Sequence, residues 1–141
     1  MKWVTRENAR VDRVACPWLI SRFIDQAPEF LFVPREQVLE VARREGAHSF
    51  DAEGAEYGHR EGKCTFETIM EEYRLKAPGL QRLALIVHGA DIPQDIHIAA
   101  EAAGLLAISE GTAKVCPNDL RKLELLFPVY DALYAYCQGL S

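Results

Sequence analysis

Three short runs of strand type, spaced by helical segments, fill the first fifty residues. Their order constrains the fold more than any other feature of the chain. "KWVT" (Lys2 to Thr5) opens, "FLFV" (Phe30 to Val33) is a compact apolar run closed by Pro34, and "HSFD" (His48 to Asp51) is the third. Between the first two, Pro17 fits the first position of a helix, where its missing N–H costs nothing. Trp18, Leu19, Ile20, Phe23 and Ile24 then supply a broad apolar face. Arg35 to Glu45 reads as a second helix, with Val38, Val41 and Ala42 on one side and Gly46 as its stop. A β-α-β-α-β order predicts a small parallel sheet with right-handed crossovers.

A polar, glycine-rich stretch over 52–64 follows and reads as a long loop or small hairpin, of the kind that often carries function. Residues 65–141 read as a mainly helical half. Thr65 is a candidate N-cap before Phe66, Ile69, Met70 and Tyr73, and Pro78 can start the next helix, with Leu80, Leu83, Ala84 and Val87 as its stripe. A further helix is expected from about Ala99 to Glu110, closed by Gly111. Asn118 or Asp119 can cap the last one, whose apolar stripe runs from Leu120 to Cys137 with Pro128 placed to kink or divide it. The expected architecture is α/β: a small parallel unit (1–51), a loop (52–64) and a helical half (65–141), packed as one compact domain.

The totals agree. A chain of 141 residues, 49% hydrophobic and 26% charged, suits a single globular domain able to bury a core without staples. A net charge of −5 argues against broad nonspecific binding to DNA or to an anionic membrane surface. No apolar run reaches the roughly 18 residues of a membrane span. The opening "MKWVTREN" lacks the apolar core of a signal peptide, so the expected location is cytoplasmic. The four cysteines, Cys16, Cys64, Cys116 and Cys137, form no Cys-x-x-Cys pair and are expected to be free thiols. No nucleotide-cofactor motif is written in the chain.

Two pairs of polar residues carry candidate metal chemistry. His88 and Asp91 stand three apart where the helical stripe places a carboxylate on an apolar face, which is costly unless it is paired, capped or metal-bound. The alternative is that the helix ends near Gly89 and leaves Asp91 in solvent. Glu56 and His59 stand three apart in the loop, between Gly54 and Gly58. Together Glu56, His59, His88 and Asp91 would make a two-histidine, two-carboxylate site suited to zinc, iron or manganese. The competing reading is a solvated loop and a hydrogen-bonded core histidine.

The first helix offers an anion site instead. If Pro17 begins it, Cys16 is the N-cap, where unpaired N–H groups and the dipole favour negative charge and a reactive thiol. Arg13 lies just upstream and Arg6 just past the first strand, both able to hold an oxyanion. Asp51 ends the third strand on the same side of the sheet, and Cys64 precedes another helix start; both are candidate supporting residues. The bland alternative is a small buried Cys16, an Arg13 paired with an acid such as Asp12, and no ligand.

The stretch "WVTRENARVDRVACPWLISRFID" resembles the opening of the chromate-resistance protein family, the domain found at the C-terminal end of ChrB. "FLFVP", "FDAEGAEYGHREGKCTFE", "IVHGAD", "AAGLLAI" and "VYDALYAYC" extend the likeness over nearly the whole chain. The resemblance implies a role in bacterial chromate resistance. It implies sensing or handling of the oxyanion, in a family whose longer member is a chromate-responsive regulator. The chain begins at the resembling domain, so DNA binding through an additional N-terminal region is not expected of it. Family members that sit beside rhodanese-like domains add a hint of thiol chemistry. Three functions are therefore expected to compete: an oxyanion-binding domain, a metal-dependent enzyme or metal sensor, and a thiol-based chromate reductase. The aromatic stripe of Tyr130, Tyr134 and Tyr136 is either core or a homodimer face.

Overall fold

A computed structural model describes residues 1–140. The strands are β1 (Lys2–Arg6), β2 (Glu29–Val33) and β3 (His48–Ser49). The helices are α1 (Asp12–Phe23), α2 (Val38–Glu45), α3 (Thr65–Glu72), α4 (Leu80–Asp91), α5 (Ala102–Val115) and α6 (Asp119–Gly139). The three strands form one parallel sheet in the order β2-β1-β3, with Trp3 opposite Phe30 on one side and His48 on the other. The fold is α/β, as the strand–helix alternation predicts.

Alternation along β1 sorts the two faces of the sheet. Val4 packs with Val38 and Val41 of α2. Trp3 faces the other way, into the large core that α1 shares with α3, α4, α5 and α6. The chain leaves β1 towards β2 and returns past β1 to β3. Right-handed crossovers in opposite directions put their helices on opposite faces, which is why α2 stands apart from the main core.

The helix boundaries depart from the sequence expectation in physically informative ways. α1 begins at Asp12, not Pro17, so Pro17 lies inside the helix and Cys16 is buried within it rather than capping it. α3 takes Cys64 as its N-cap instead of Thr65. The Cys64 thiol accepts from the Glu67 N–H, and the Glu67 carboxylate accepts from the Cys64 N–H. α4 runs straight through Gly89 to Asp91. A Cβ there would stand 2.8 Å from the Ala102 Cβ and 3.0 Å from Ile98 Cγ2, so Gly89 serves close packing against the α5 region rather than helix termination. α5 begins later and ends later than expected, passing through Gly111. α6 is one continuous helix across Pro128, capped by Asn118, whose side chain accepts from the Arg121 N–H.

α6 closes the core over α1. Tyr130 is buried, whereas Tyr136 of the same stripe is half exposed. Asp131 accepts from Trp18 Nε1 at 2.7 Å and takes both Arg22 nitrogens at 2.9 and 3.0 Å. Among the described residues no helix is long and apolar enough to cross a membrane.

Candidate functional site

The site lies at the carboxyl ends of β1 and β3. These neighbouring strands lead their connections away in opposite directions, and such divergences in parallel sheets leave a crevice for ligands. Arg6 ends β1 and Asp51 follows β3. Arg6 Nε donates to the Asp51 carbonyl at 2.9 Å. The Asp51 carboxylate accepts from Arg13 Nη1 at 3.2 Å and from the Thr65 hydroxyl at 2.7 Å. Asp51 itself has φ 49°, a left-handed turn that redirects the chain out of the sheet.

Three carboxylates converge here on one imidazole. Asp12, the first residue of α1, is fully buried, and its Oδ2 accepts from the Thr65 N–H at 2.8 Å. This places a negative group at the N-terminus of α3, where the dipole favours it. Asp91 is the last residue of α4. His59 comes down from the loop with Nε2 at 3.0 Å from Asp91, 3.6 Å from Asp51 and 3.7 Å from Asp12. Its side chain is 50% exposed, against 17% for Asp91, 6% for Asp51 and 0% for Asp12, so the imidazole stands between the carboxylates and solvent.

The electrostatics follow from burial and like charge. Burial, reinforced by the Asp91 carboxylate, pushes the Asp12 carboxyl well above the usual carboxylate range. Asp91 is raised by burial and by Asp51. Opposed to them, the Asp12 carboxylate lifts the His59 imidazole to about 9, with Asp91 and Asp51 adding to it. Arg6 and Arg13 both spend their charge on Asp51. Ionised together, Asp12 and Asp91 would have to share the single charge of His59, which is why both carboxyls hold their protons more tightly than usual.

Asp12, His59 and Asp91 each offer one ligand atom, and these atoms lie within 4.8 Å of one another. Two carboxylate oxygens and an imidazole nitrogen fit zinc, iron or manganese. Two clefts flank His59. One of 480 Å³ is lined by Arg6, Asp51, Gly58, His59 and Arg60. The other, of 440 Å³, is lined by His59, Lys63, Asp91 and Asp95.

The four residues singled out for a metal in the sequence are divided among three places. His59 and Asp91 meet. Glu56 lies beside His48, whose Nδ1 is 3.0 Å from its carboxylate. His88 points away from Asp91, with Nδ1 2.5 Å from Glu67 and Nε2 2.6 Å from Asp95. Residues three apart on a helix diverge by about 60°, enough to aim His88 and Asp91 at different partners. Of the expected anion site, Arg6 and Arg13 reach the crevice, but the N-cap premise for Cys16 fails. Its thiol is buried 3.9 Å from Asp12 Oδ1, and burial raises it far above its ordinary range. Of the supporting residues, Asp51 is central, and Cys64 lies at the start of α3. Sequence reasoning passed over Asp12, Thr65, Glu67 and Asp95. For Asp12 the available signal was a carboxylate set among residues destined for the core, "VDRVAC".

Comparison with known proteins agrees with the resemblance noted in the sequence. The chain is 36% identical over 136 residues to Protein ChrB of Cupriavidus metallidurans, covering 96% of this chain and 40% of that protein. It therefore spans about two-fifths of the length of the curated relative it matches. No solved structure matches. The family model described as "ChrB, C-terminal domain" matches residues 3–137, and the chain belongs to the ChrB C-terminal domain family.

Proposed function

We propose that this chain is a chromate-resistance domain that holds one divalent cation on Asp12, His59 and Asp91 and handles an oxyanion beside it. The observation that carries this reading is the convergence of the three ligand atoms, with a fully buried carboxylate among them. A buried charge needs pairing or a metal, and one half-exposed imidazole cannot neutralise both Asp12 and Asp91. A divalent ion would supply the missing positive charge and act as a Lewis acid towards an oxyanion.

The residues around the metal ligands have separate tasks. Thr65 orients two carboxylates at once, Asp12 through its N–H and Asp51 through its hydroxyl. Asp51 in turn fixes Arg13 and Arg6 at the edge of the crevice. Arg6 and Arg60 line the 480 Å³ cleft with His59, but Arg6 is paired with Asp51 and Arg60 with Glu72, so the cation would carry most of the attraction for an anion. The chromate-resistance role of the family favours an oxyanion such as chromate as the ligand. A bare arginine pocket without metal is the weaker alternative, because Arg6 and Arg13 are already engaged by Asp51. Thiol-based reduction at Cys16 is weaker still, since its thiol is buried and held protonated.

The test is elemental analysis of protein purified without an affinity tag. About one equivalent of zinc, iron or manganese is expected at this site, with most of it lost in His59→Ala. Chromate titration should then show binding to the loaded protein and not to the chelator-stripped form. Substoichiometric metal that His59→Ala leaves unchanged would overturn the reading.

A further inference from the structure

A second group of metal-ligating side chains lies one turn away in sequence from the first and shares no residue with it. Cys64 Sγ, a Glu67 carboxylate oxygen and a His88 ring nitrogen all fall within 4.8 Å of one another. Cys64 is fully buried and His88 nearly so. We infer that Cys64, Glu67 and His88 form a separate thiolate-containing site for a zinc-class cation, with Asp95 holding His88 from behind.

The arrangement of His88 is the main support. A metal-bound histidine characteristically donates its other ring N–H to a carboxylate, which fixes its tautomer and orientation. Asp95 stands 2.6 Å from Nε2, while Nδ1 faces Glu67 at 2.5 Å. One nitrogen is thus held by a supporting carboxylate, and the other points at the remaining members of the group. Cys64 adds an independent feature. It is the N-cap of α3, and its sulfur accepts the Glu67 N–H; burial, reinforced by Asp12, holds the thiol protonated, so the thiolate forms only as a cation displaces the proton. Sulfur, imidazole and carboxylate together select zinc or a similar borderline ion over magnesium or calcium.

Charge and protons balance. Thiolate and carboxylate together match a divalent cation. Loading releases the Cys64 thiol proton and, from a doubly protonated His88, the Nδ1 proton; the Nε2 proton stays on the hydrogen bond to Asp95. Access exists from two sides. Glu67 lines a 320 Å³ cleft with Met70 and Ala84, and Asp95 lines the 440 Å³ cleft shared with Asp91. The two sites are also mechanically joined, because His88 and Asp91 occupy the last turn of α4, while Cys64 and Thr65 occupy the start of α3.

Cobalt(II) titration of the chelator-stripped chain tests this directly, because only a sulfur ligand gives the thiolate-to-cobalt charge-transfer band in the near ultraviolet. The wild type should take up to two equivalents of cobalt, with the band reporting one of them. Cys64→Ser should abolish it, while Cys16→Ser and His59→Ala should retain it; retention in His59→Ala separates this site from the Asp12–His59–Asp91 centre. Asp95→Asn, at a half-exposed position, keeps all three ligands and should weaken cobalt binding at the band about 10-fold to 100-fold. Cobalt bound with no charge-transfer band, a band that survives Cys64→Ser, or unchanged affinity in Asp95→Asn would each overturn the inference.

Discussion

Asp12 is fully buried, and its carboxylate meets the Thr65 N–H and the His59 imidazole from distant segments and the Cys16 thiol one turn along α1. A buried carboxylate of this kind costs stability unless it is paired or metal-bound. Asp12→Asn keeps an acceptor for the Thr65 N–H and removes the repulsion with Asp91. The chelator-stripped variant is therefore predicted to be more stable than wild type by about 1–4 kcal/mol in urea unfolding, and to gain no stability when metal is added. Thr65→Val has the opposite profile. It removes the donor to Asp51, should cost about 1–3 kcal/mol in the same measurement, and should weaken metal affinity about 10-fold or more. At this scale the sequence was only partly legible. Asp91 stands out in the sequence as a carboxylate on an apolar stripe and His59 as an imidazole in a glycine-rich loop, but the i, i+3 spacing pairs them with His88 and Glu56, which the structure turns to other partners. Glu56 and His59 are in a loop, where helical spacing has no meaning, and the true companions lie on other elements. Asp12 and Thr65 stand 53 residues apart.

Elements were more legible than their ends. The strand–helix alternation marks the parallel sheet because short runs of strand type are separated by longer segments of helical period. The ends failed where a breaker was put to another use. Pro17 was read as a helix start, but α1 begins five residues earlier, at Asp12, with its proline inside. Gly89 was a candidate helix stop, but α4 needs it for close approach. Gly89→Ala is predicted to cost about 1–3 kcal/mol by overpacking, seen as a lower thermal midpoint. It should also reduce metal retention, because the added methyl lies 3.1 Å from the Asp95 carbonyl and two residues from Asp91. The α1–α6 contact carries a pH dependence of known sign. Arg22, with help from Trp18, holds the Asp131 carboxyl below its ordinary range. A depressed acid contributes stability above its unfolded pKa and loses it as pH falls through the folded value. The difference in thermal midpoint between wild type and Asp131→Asn should therefore be full at neutral pH and shrink below about pH 4.

For the whole molecule, the two halves inferred from the sequence share one core. Trp3, Trp18, Phe66, Leu83, Leu123 and Tyr130 belong to a single buried cluster. The site is a product of that union: β1, α1 and the end of β3 bring Arg6, Asp12, Arg13 and Asp51, the loop brings His59, and the helical half brings Thr65 and Asp91. Neither half could be expected to assemble it alone. Removing residues 119–141 should abolish cooperative unfolding followed by circular dichroism, because α6 covers Trp18 and supplies the buried Tyr130. The most direct measurement of the central claim is anomalous diffraction from crystals of this chain grown with manganese or zinc. A metal held at the site gives a peak bounded by the Asp12 and Asp91 carboxylates and His59 Nε2, which disappears in His59→Ala. Metal-loaded crystals with no peak among those three side chains would contradict it.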